Sequence, residues 1–157
     1  MTRFYDIDAA NAAVPELDGI VGVLAEQRAE LVRLRDEVLA AGTGAGDGAT
    51  TAVADRSSRP AAESSGETQA ADLPIVDDLR LTRLRMQGLI DQMAAGVARI
   101  DGLGLTLRDI EHGLVDFPAL VAGRQVWLCW QRGEPAIGFW HDLETGFSGR
   151  RPLAELA

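Results

Sequence analysis

The sequence predicts an α+β protein, a long antiparallel helical hairpin followed by a small C-terminal antiparallel β-sheet. Two segments repeat apolar residues at helical spacing, and short strand-like runs rich in Trp follow the second one. A polar stretch separates the two helical segments. With 157 residues and 46% apolar content, the chain suits one domain with a modest core. We therefore expect a single domain over residues 1–157.

The first predicted helix follows a short N-terminal segment, and the two together span residues 1–41. Asp6 and Asp8 are suited to cap a lead-in turn. Pro15 is expected to kink or restart the helix, and Gly42 to end it. One amphipathic stripe contains Val14, Leu17, Ile20, Leu24, Leu31, Leu34 and Val38.

A second helix is predicted over residues 74–102. Both helices have about 27 residues and are roughly 40 Å long, so we expect an antiparallel pair packed as a short coiled coil. Such a pair leaves several apolar residues uncovered, which predicts a homodimer, a protein partner, or cover from the C-terminal region. The second stripe contains Ile75, Leu79, Met86, Ile90, Met93, Val97 and Ile100, and the uncovered residues are Val23, Leu81, Leu84 and Leu89.

The stretch between the helices, residues 42–73, is predicted to be a disordered linker insertion. From Gly42 to Asp72 its one large apolar residue is Val53, and the rest is mostly Gly, Ala, Ser, Thr and acids. Such a composition cannot bury enough surface to offset the entropy lost on ordering.

Composition excludes several classes of function. The net charge is -9, and all 15 basic residues are Arg. An acidic chain repels phosphate, which argues against general nucleic-acid binding. We expect no membrane span, because no apolar run approaches about 18 residues. The acidic start is unlike a signal peptide, and a single cysteine forms no internal disulfide, so the expected location is the cytoplasm.

Residues 103–152 form the predicted β region. A short strand is expected at Leu105–Arg108, and a hairpin joins Gln125–Gln131 to Ala136–His141 through a four-residue turn. Pairing Gln131 with Ala136 sets the two faces, and each needs cover from the helices, a partner or the following segment. In this register Trp127, Cys129 and Trp140 share one face, with Trp127 opposite Trp140, and Leu128, Trp130, Ile137 and Phe139 share the other.

A carboxylate–histidine cluster is the alternative to a pure interaction role. Asp116, His141 and Asp142 are candidate ligands for a divalent metal, with His112 as a further histidine. The predicted register separates Cys129 from His141, and burial between Leu128 and Trp130 favours a structural cysteine. This cluster is consistent with a small metal-binding protein or metal-dependent hydrolase.

Four motifs carry a family resemblance: "FYDIDAANAAVPEL", "GLVDFPAL", "GRQVWLCWQRGEPAIGFWHDL" and "GFSGRRP". Together they resemble the bacterial proteins catalogued as domain of unknown function number 2203. The resemblance implies a soluble protein of helices plus a small sheet, with no established activity. It also implies that the family's recurring polar positions map onto Asp116, Glu134, His141 and Arg150, whereas His112 falls where no recurring histidine is expected.

The leading functional hypothesis is an interaction or scaffold module that uses the helical hairpin and the Trp-rich β-hairpin. No recognisable catalytic signature is present, so we lean against an enzyme and assign no catalytic residue. The expected binding residues are Asp116, Glu134, Trp140, His141, Asp142 and Arg150.

The linker hypothesis predicts the effect of a deletion. Replacing Thr43–Ala71 by a few bridging residues should leave the thermal midpoint nearly unchanged, because disordered residues make few contacts and long loops cost little to close. Differential scanning calorimetry of both proteins measures the effect. A fall of about 10 °C would mean that an ordered element had been removed.

Overall fold

The computed structural model describes residues 2–43 and 73–156. It confirms the α+β class: two helices precede a five-stranded antiparallel sheet whose strands follow one another in chain order. Most of the predicted linker, residues 42–73, lies outside the described residues. The elements are α1 Ile7–Thr43, α2 Leu73–Gly102, β1 Thr106–Asp109, β2 Leu114–Val121, β3 Arg124–Gln131, β4 Phe139–His141 and β5 Arg151–Pro152, with 3₁₀ turns at Phe147–Gly149 and Leu153–Glu155.

Helix α1 is longer at its start than the sequence predicted. The Asp6 carboxylate accepts a hydrogen bond from the Ala9 N–H at 2.7 Å, so Asp6 caps the helix directly. The helix continues through Pro15 without restarting, and Gly42 lies inside its last turn. The helix therefore does not restart at Pro15, and its last described residue, Thr43, lies one position beyond the predicted stop at Gly42.

The two helices pair antiparallel, as predicted. Three contacts join progressively later residues of α1 to earlier residues of α2. These are Arg99 to Glu16 at 3.2 Å, Gln92 to Gln27 at 3.0 Å and Arg85 to Glu30 at 2.6 Å. The contacts form a polar border along the hairpin.

Strand β2 was not among the strands that the sequence predicted. Pro118 stands in its middle, and proline is unusual in a central strand. Here the proline is tolerated. The first residue of β1, Thr106, pairs with Asp116, so the pairing between β1 and β2 does not extend to Pro118. The Pro118 carbonyl, on that open side, instead accepts a hydrogen bond from the Tyr5 N–H at 2.8 Å. Proline's missing N–H therefore removes no bond to β1.

One face of the sheet, here called the inner face, packs on the helices. Its side chains come from alternate positions of β2, β3 and β4, and each is at most 2% exposed. They share one core with apolar residues of α1 and with Ile100 of α2. The inner-face residues are Val115, Phe117, Ala119, Val126, Leu128, Trp130 and Trp140.

The predicted register between β3 and β4 is wrong by one residue. Trp127 lies opposite His141, and Leu128 lies opposite Trp140. A shift of one residue turns a strand over, so Trp140 joins the inner face and His141 lies on the outer face. The predicted Trp127–Trp140 pair does not form.

The register shift arises in the segment before β4. Ile137 was predicted to lie within the second strand, which begins instead at Phe139. Its side chain is only 4% exposed, and its N–H donates to Asn11 Oδ1 of α1 at 2.7 Å. The predicted four-residue turn is therefore a longer connection anchored to the helix.

The outer face of the sheet is partly covered by the chain that follows β4. Leu143 and Phe147 line a pocket over this face, and the Arg150 guanidinium lies 4.2 Å from the centre of the Phe139 ring. Of the alternatives left open by the sequence, the following segment supplies part of the cover. Within residues 2–43 and 73–156, neither helix is apolar over enough of its length to cross a membrane.

The two faces predict different costs for two Trp→Ala substitutions. Trp140→Ala should lower the free energy of unfolding by about 3–5 kcal/mol, because the ring is fully buried in the core. Trp127→Ala should cost less, because Trp127 is only partly buried on the outer face. Urea denaturation of both variants measures the difference, and equal losses would contradict the observed register.

Candidate functional site

The six residues predicted to form a binding site fall into separate parts of the sheet. Asp116 and His141 lie together on the outer face, whereas Trp140 belongs to the core beneath the inner face. Glu134 pairs with Arg150, and Asp142 faces Arg124. The six residues therefore do not surround one common site.

The densest group of chemically active side chains lies on the outer face. Asp116, Cys129 and His141 come from three neighbouring strands, β2, β3 and β4, and each is 2% exposed. One carboxylate oxygen, the thiol sulfur and one imidazole nitrogen all lie within 4.8 Å of one another. All three residues line a pocket of about 230 Å³, which is completed by residues of the covering segment and by Arg108.

Hydrogen bonds define how the His141 ring is oriented. Its Nδ1 lies 2.8 Å from the Asp142 carbonyl oxygen, which can only accept, so Nδ1 carries a proton. Its Nε2 lies 3.1 Å from Asp116 Oδ2. Arg108 Nε also donates to Asp116 Oδ2, at 2.7 Å. Asp116 thus lies between a histidine and an arginine.

One carboxylate oxygen of this network has no hydrogen-bond partner within the described part of the chain. Asp116 Oδ1 is buried and has no hydrogen-bond partner among the residues that the structure describes. A buried carboxylate oxygen without a donor costs free energy, because burial removes the hydration that the group has in the unfolded chain. The oxygen belongs to a residue that lines the pocket.

Cys129 was predicted to lie on the face opposite His141, and that prediction is wrong because of the register shift. The expectation of a buried, unreactive thiol agrees with its surroundings. Burial, and then the nearby Asp116 carboxylate, raise the pKa of Cys129 to about 12. A thiol with this pKa is protonated near pH 7, so Cys129 does not act as a free nucleophile.

Asp142 does not join the predicted carboxylate–histidine cluster. Its carboxylate lies 3.5 Å from Arg124 Nη1 at the surface, and only its backbone carbonyl contacts His141. The sequence correctly brought Asp142 close to His141 but assigned the wrong atom. Cys129 takes its place as the third member of the group.

Glu134 and Arg150 form a partly buried ion pair that holds the β3–β4 connection. Arg150 Nη2 lies 2.7 Å and 2.8 Å from the two Glu134 oxygens. Glu134 Oε2 also accepts from the Gln131 N–H at 2.7 Å, and Trp130 Nε1 donates to the Glu134 carbonyl at 2.9 Å. These contacts bind the loop to β3 and to the chain before β5. The pair therefore has a structural role.

His112 lies away from this cluster, on the turn between β1 and β2. Its Nδ1 is 2.9 Å from Asp109 Oδ2, and both side chains are exposed. This hydrogen bond raises the pKa of His112 and lowers the pKa of Asp109. His112 is thus a surface histidine paired with a neighbouring acid.

The buried network predicts an unequal effect of two His→Ala substitutions. His141→Ala should lower the free energy of unfolding by roughly 2–4 kcal/mol, because it opens a cavity and removes a partner of the buried Asp116. His112→Ala, at the surface, should change it by less than about 0.5 kcal/mol. Urea denaturation checks both values. If His141→Ala lowered the free energy of unfolding by less than about 1 kcal/mol, the histidine would not be part of a buried network.

Comparison with known proteins gives one match, at the level of the family. No curated protein and no solved structure matches the chain. A family model described as uncharacterized conserved protein (DUF2203) matches residues 3–153, which include both helices and the sheet through the start of the final 3₁₀ turn. The chain therefore belongs to this family of uncharacterized conserved proteins.

Proposed function

We propose that this protein is an interaction module that self-associates through its helical hairpin. The observation that carries the proposal is a set of large apolar side chains exposed on the hairpin. Leu81 and Leu84 of α2 are 63% and 61% exposed, and Val23 of α1 is 52% exposed. Exposed apolar residues that cluster on one surface mark interaction sites more often than isolated ones do.

The sheet covers only one end of the hairpin. Ile100 and the first half of α1 share the core with the inner face. Leu84 lies 16 residues before Ile100, which corresponds to roughly 24 Å along α2. Among the described residues, the α2 side chains that form this core or pack against it are Met93, Val97 and Ile100, so the core does not extend to Leu84.

A groove between the helices offers a receptor for such side chains. It has a volume of about 420 Å³ and opens beside Val23 and Leu24 of α1. Its lining includes the small residues Gly19 and Ala95, and the space above Gly19 is open to another side chain. An exposed Leu pair and a receiving groove on the same hairpin are the two halves of a self-complementary contact.

Charge favours a second copy of this chain as the partner. Arg80 and Arg83 flank the exposed Leu pair, and neither forms an ion pair within the described part of the chain. Glu26 follows Val23 by one helical turn and is also exposed without a partner there. A two-fold contact that seats Leu81 and Leu84 in the partner's groove brings opposite charges together.

The other predicted roles receive less support. Trp130 and Trp140 are buried in the core, so the Trp-rich hairpin contributes little recognition surface. A hydrolase is not favoured, because Glu134 and Asp142 are each engaged by an arginine. We retain the cytoplasm as the proposed compartment, since Cys129 is a free buried thiol.

Light scattering and sedimentation measurements of the oligomeric state test the proposal. The full chain should form a homodimer at micromolar concentration, with roughly 1,600 Å² buried in total. The double variant Leu81→Glu/Leu84→Glu should be monomeric with an unchanged far-UV spectrum, because it places charges in an apolar contact. Leu120→Glu is the matched control: Leu120 is 50% exposed on β2 beside the start of α1, at the end of the hairpin away from Leu81 and Leu84, and this variant should remain dimeric.

Two outcomes would contradict the proposal. The first is a monomer at high micromolar concentration for the unaltered chain. The second is a dimer that survives Leu81→Glu/Leu84→Glu or dissociates equally in Leu120→Glu, since either result would locate the contact elsewhere.

A further inference from the structure

The outer-face group combines three kinds of metal donor. Asp116 supplies a carboxylate, Cys129 a sulfur and His141 an imidazole, all from adjacent strands. A tetrahedral zinc ion has bonds of about 2.0–2.3 Å, which hold its donors roughly 3.5 Å apart. The three donor atoms already lie within 4.8 Å of one another. They therefore need to close by only roughly 1 Å to reach that geometry.

His141 has the orientation that a metal-binding histidine needs. The Nδ1 proton is donated to the Asp142 carbonyl, which leaves Nε2 as the nitrogen that faces Asp116. A histidine that binds metal through one nitrogen commonly donates its other N–H to a carbonyl or carboxylate, which fixes the ring. Nε2 and Asp116 Oδ2 face each other at 3.1 Å, a spacing that needs a proton or a cation between two acceptors.

The unpartnered oxygen is independent of the histidine geometry. Asp116 is 2% exposed, and its Oδ1 has no partner among the described residues, although the side chain lines the pocket. A cation held in the pocket would satisfy this oxygen. A structural ion pair with Arg108 and His141 does not, because both of those residues approach Oδ2. The remaining neighbour of the Asp116 carboxylate in this group is the Cys129 thiol, which is only a weak donor.

We propose that Asp116, Cys129 and His141 bind one transition-metal ion of the zinc class. The sulfur and imidazole donors favour zinc or cobalt over magnesium or calcium, which prefer oxygen ligands. Binding forms the metal–sulfur bond and releases the thiol proton to solvent, together with any proton held between His141 Nε2 and Asp116. Three protein ligands leave a fourth position open toward the pocket, the arrangement of sites that bind water or a small ligand on the metal.

Arg108 competes with the ion for Asp116. Its side chain is 46% exposed and its guanidinium lies 5.1 Å from the centre of the Trp127 ring. Arg108 can therefore keep its hydrogen bond to Oδ2 while the metal binds Oδ1. Alternatively, its guanidinium can move into solvent, where water solvates the charge. This site does not depend on self-association, because its three residues lie on the sheet and not on the hairpin.

Cobalt titration of the full chain, prepared with a chelator that is then removed, tests the site. We expect one equivalent of Co²⁺ to give a thiolate-to-cobalt charge-transfer band and the visible bands of tetrahedral cobalt, both abolished by added Zn²⁺. Cys129→Ser should lose the charge-transfer band and bind at least about tenfold more weakly. This variant changes one atom, so circular dichroism is used to verify that it folds. Asp142→Asn and His112→Ala, which alter the two excluded candidates, should keep both signals.

A second measurement begins with the unaltered chain and reads stability instead of colour. One equivalent of Zn²⁺ should raise the thermal midpoint of the unaltered chain by several degrees, because a ligand that binds only the folded state stabilises it. The same addition should leave the midpoint of Cys129→Ser nearly unchanged. The proposal is overturned if millimolar Co²⁺ gives no charge-transfer band. It is equally overturned if Cys129→Ser binds as the unaltered chain does, if binding is lost in His112→Ala, or if Zn²⁺ does not move the midpoint.

Discussion

The arrangement of the sheet depends on how the connection before β4 is attached to α1. The Ile137 N–H donates to Asn11 Oδ1, and the Ile137 side chain enters the core beside the helix. Phe139 then becomes the first residue that pairs with β3, opposite Cys129. Because side chains alternate along a strand, this anchor determines that Trp140 faces the helices and that His141 faces the opposite side.

All three tryptophans, the single cysteine and one of the two histidines lie between Val126 and Phe147. The same alternation explains why they are concentrated there. A small sheet must cover the ends of two helices, and large rings such as Trp130 and Trp140 bury the most surface per residue. The outer positions are then free for polar groups. Cys129 and His141 are neighbours in sequence to these rings, yet they belong to a different environment. One stretch thus contributes both a core and a cluster of polar side chains.

Sequence periodicity was sufficient for the helices and their pairing, because each stripe repeats over several turns and errors at one position matter little. Pattern reasoning did not identify β2, a strand that contains Pro118. The proline is acceptable because β1 is short and begins only at Thr106, opposite Asp116, which is a fact of tertiary structure. Local propensity carries no information about where a neighbouring strand begins or ends.

The candidate site was only partly predictable for a related reason. Asp116 and His141 were identified from their chemistry. The third member, Cys129, shares their face only in the observed register, and a shift of one residue places it on the opposite face from His141. The predicted turn assumed that Ile137 lies in the strand, whereas burial against α1 removes it from the pairing. The available signal in the sequence was Ile137 itself. It is a large apolar residue close to Pro135 and Gly138, so its side chain could be expected to be buried outside a regular strand. With Cys129 paired to Phe139, Cys129 and His141 lie on the same face of the sheet. Asp142 comes directly after the last residue of β4, and its carboxylate contacts Arg124 at the start of β3 instead of joining that group.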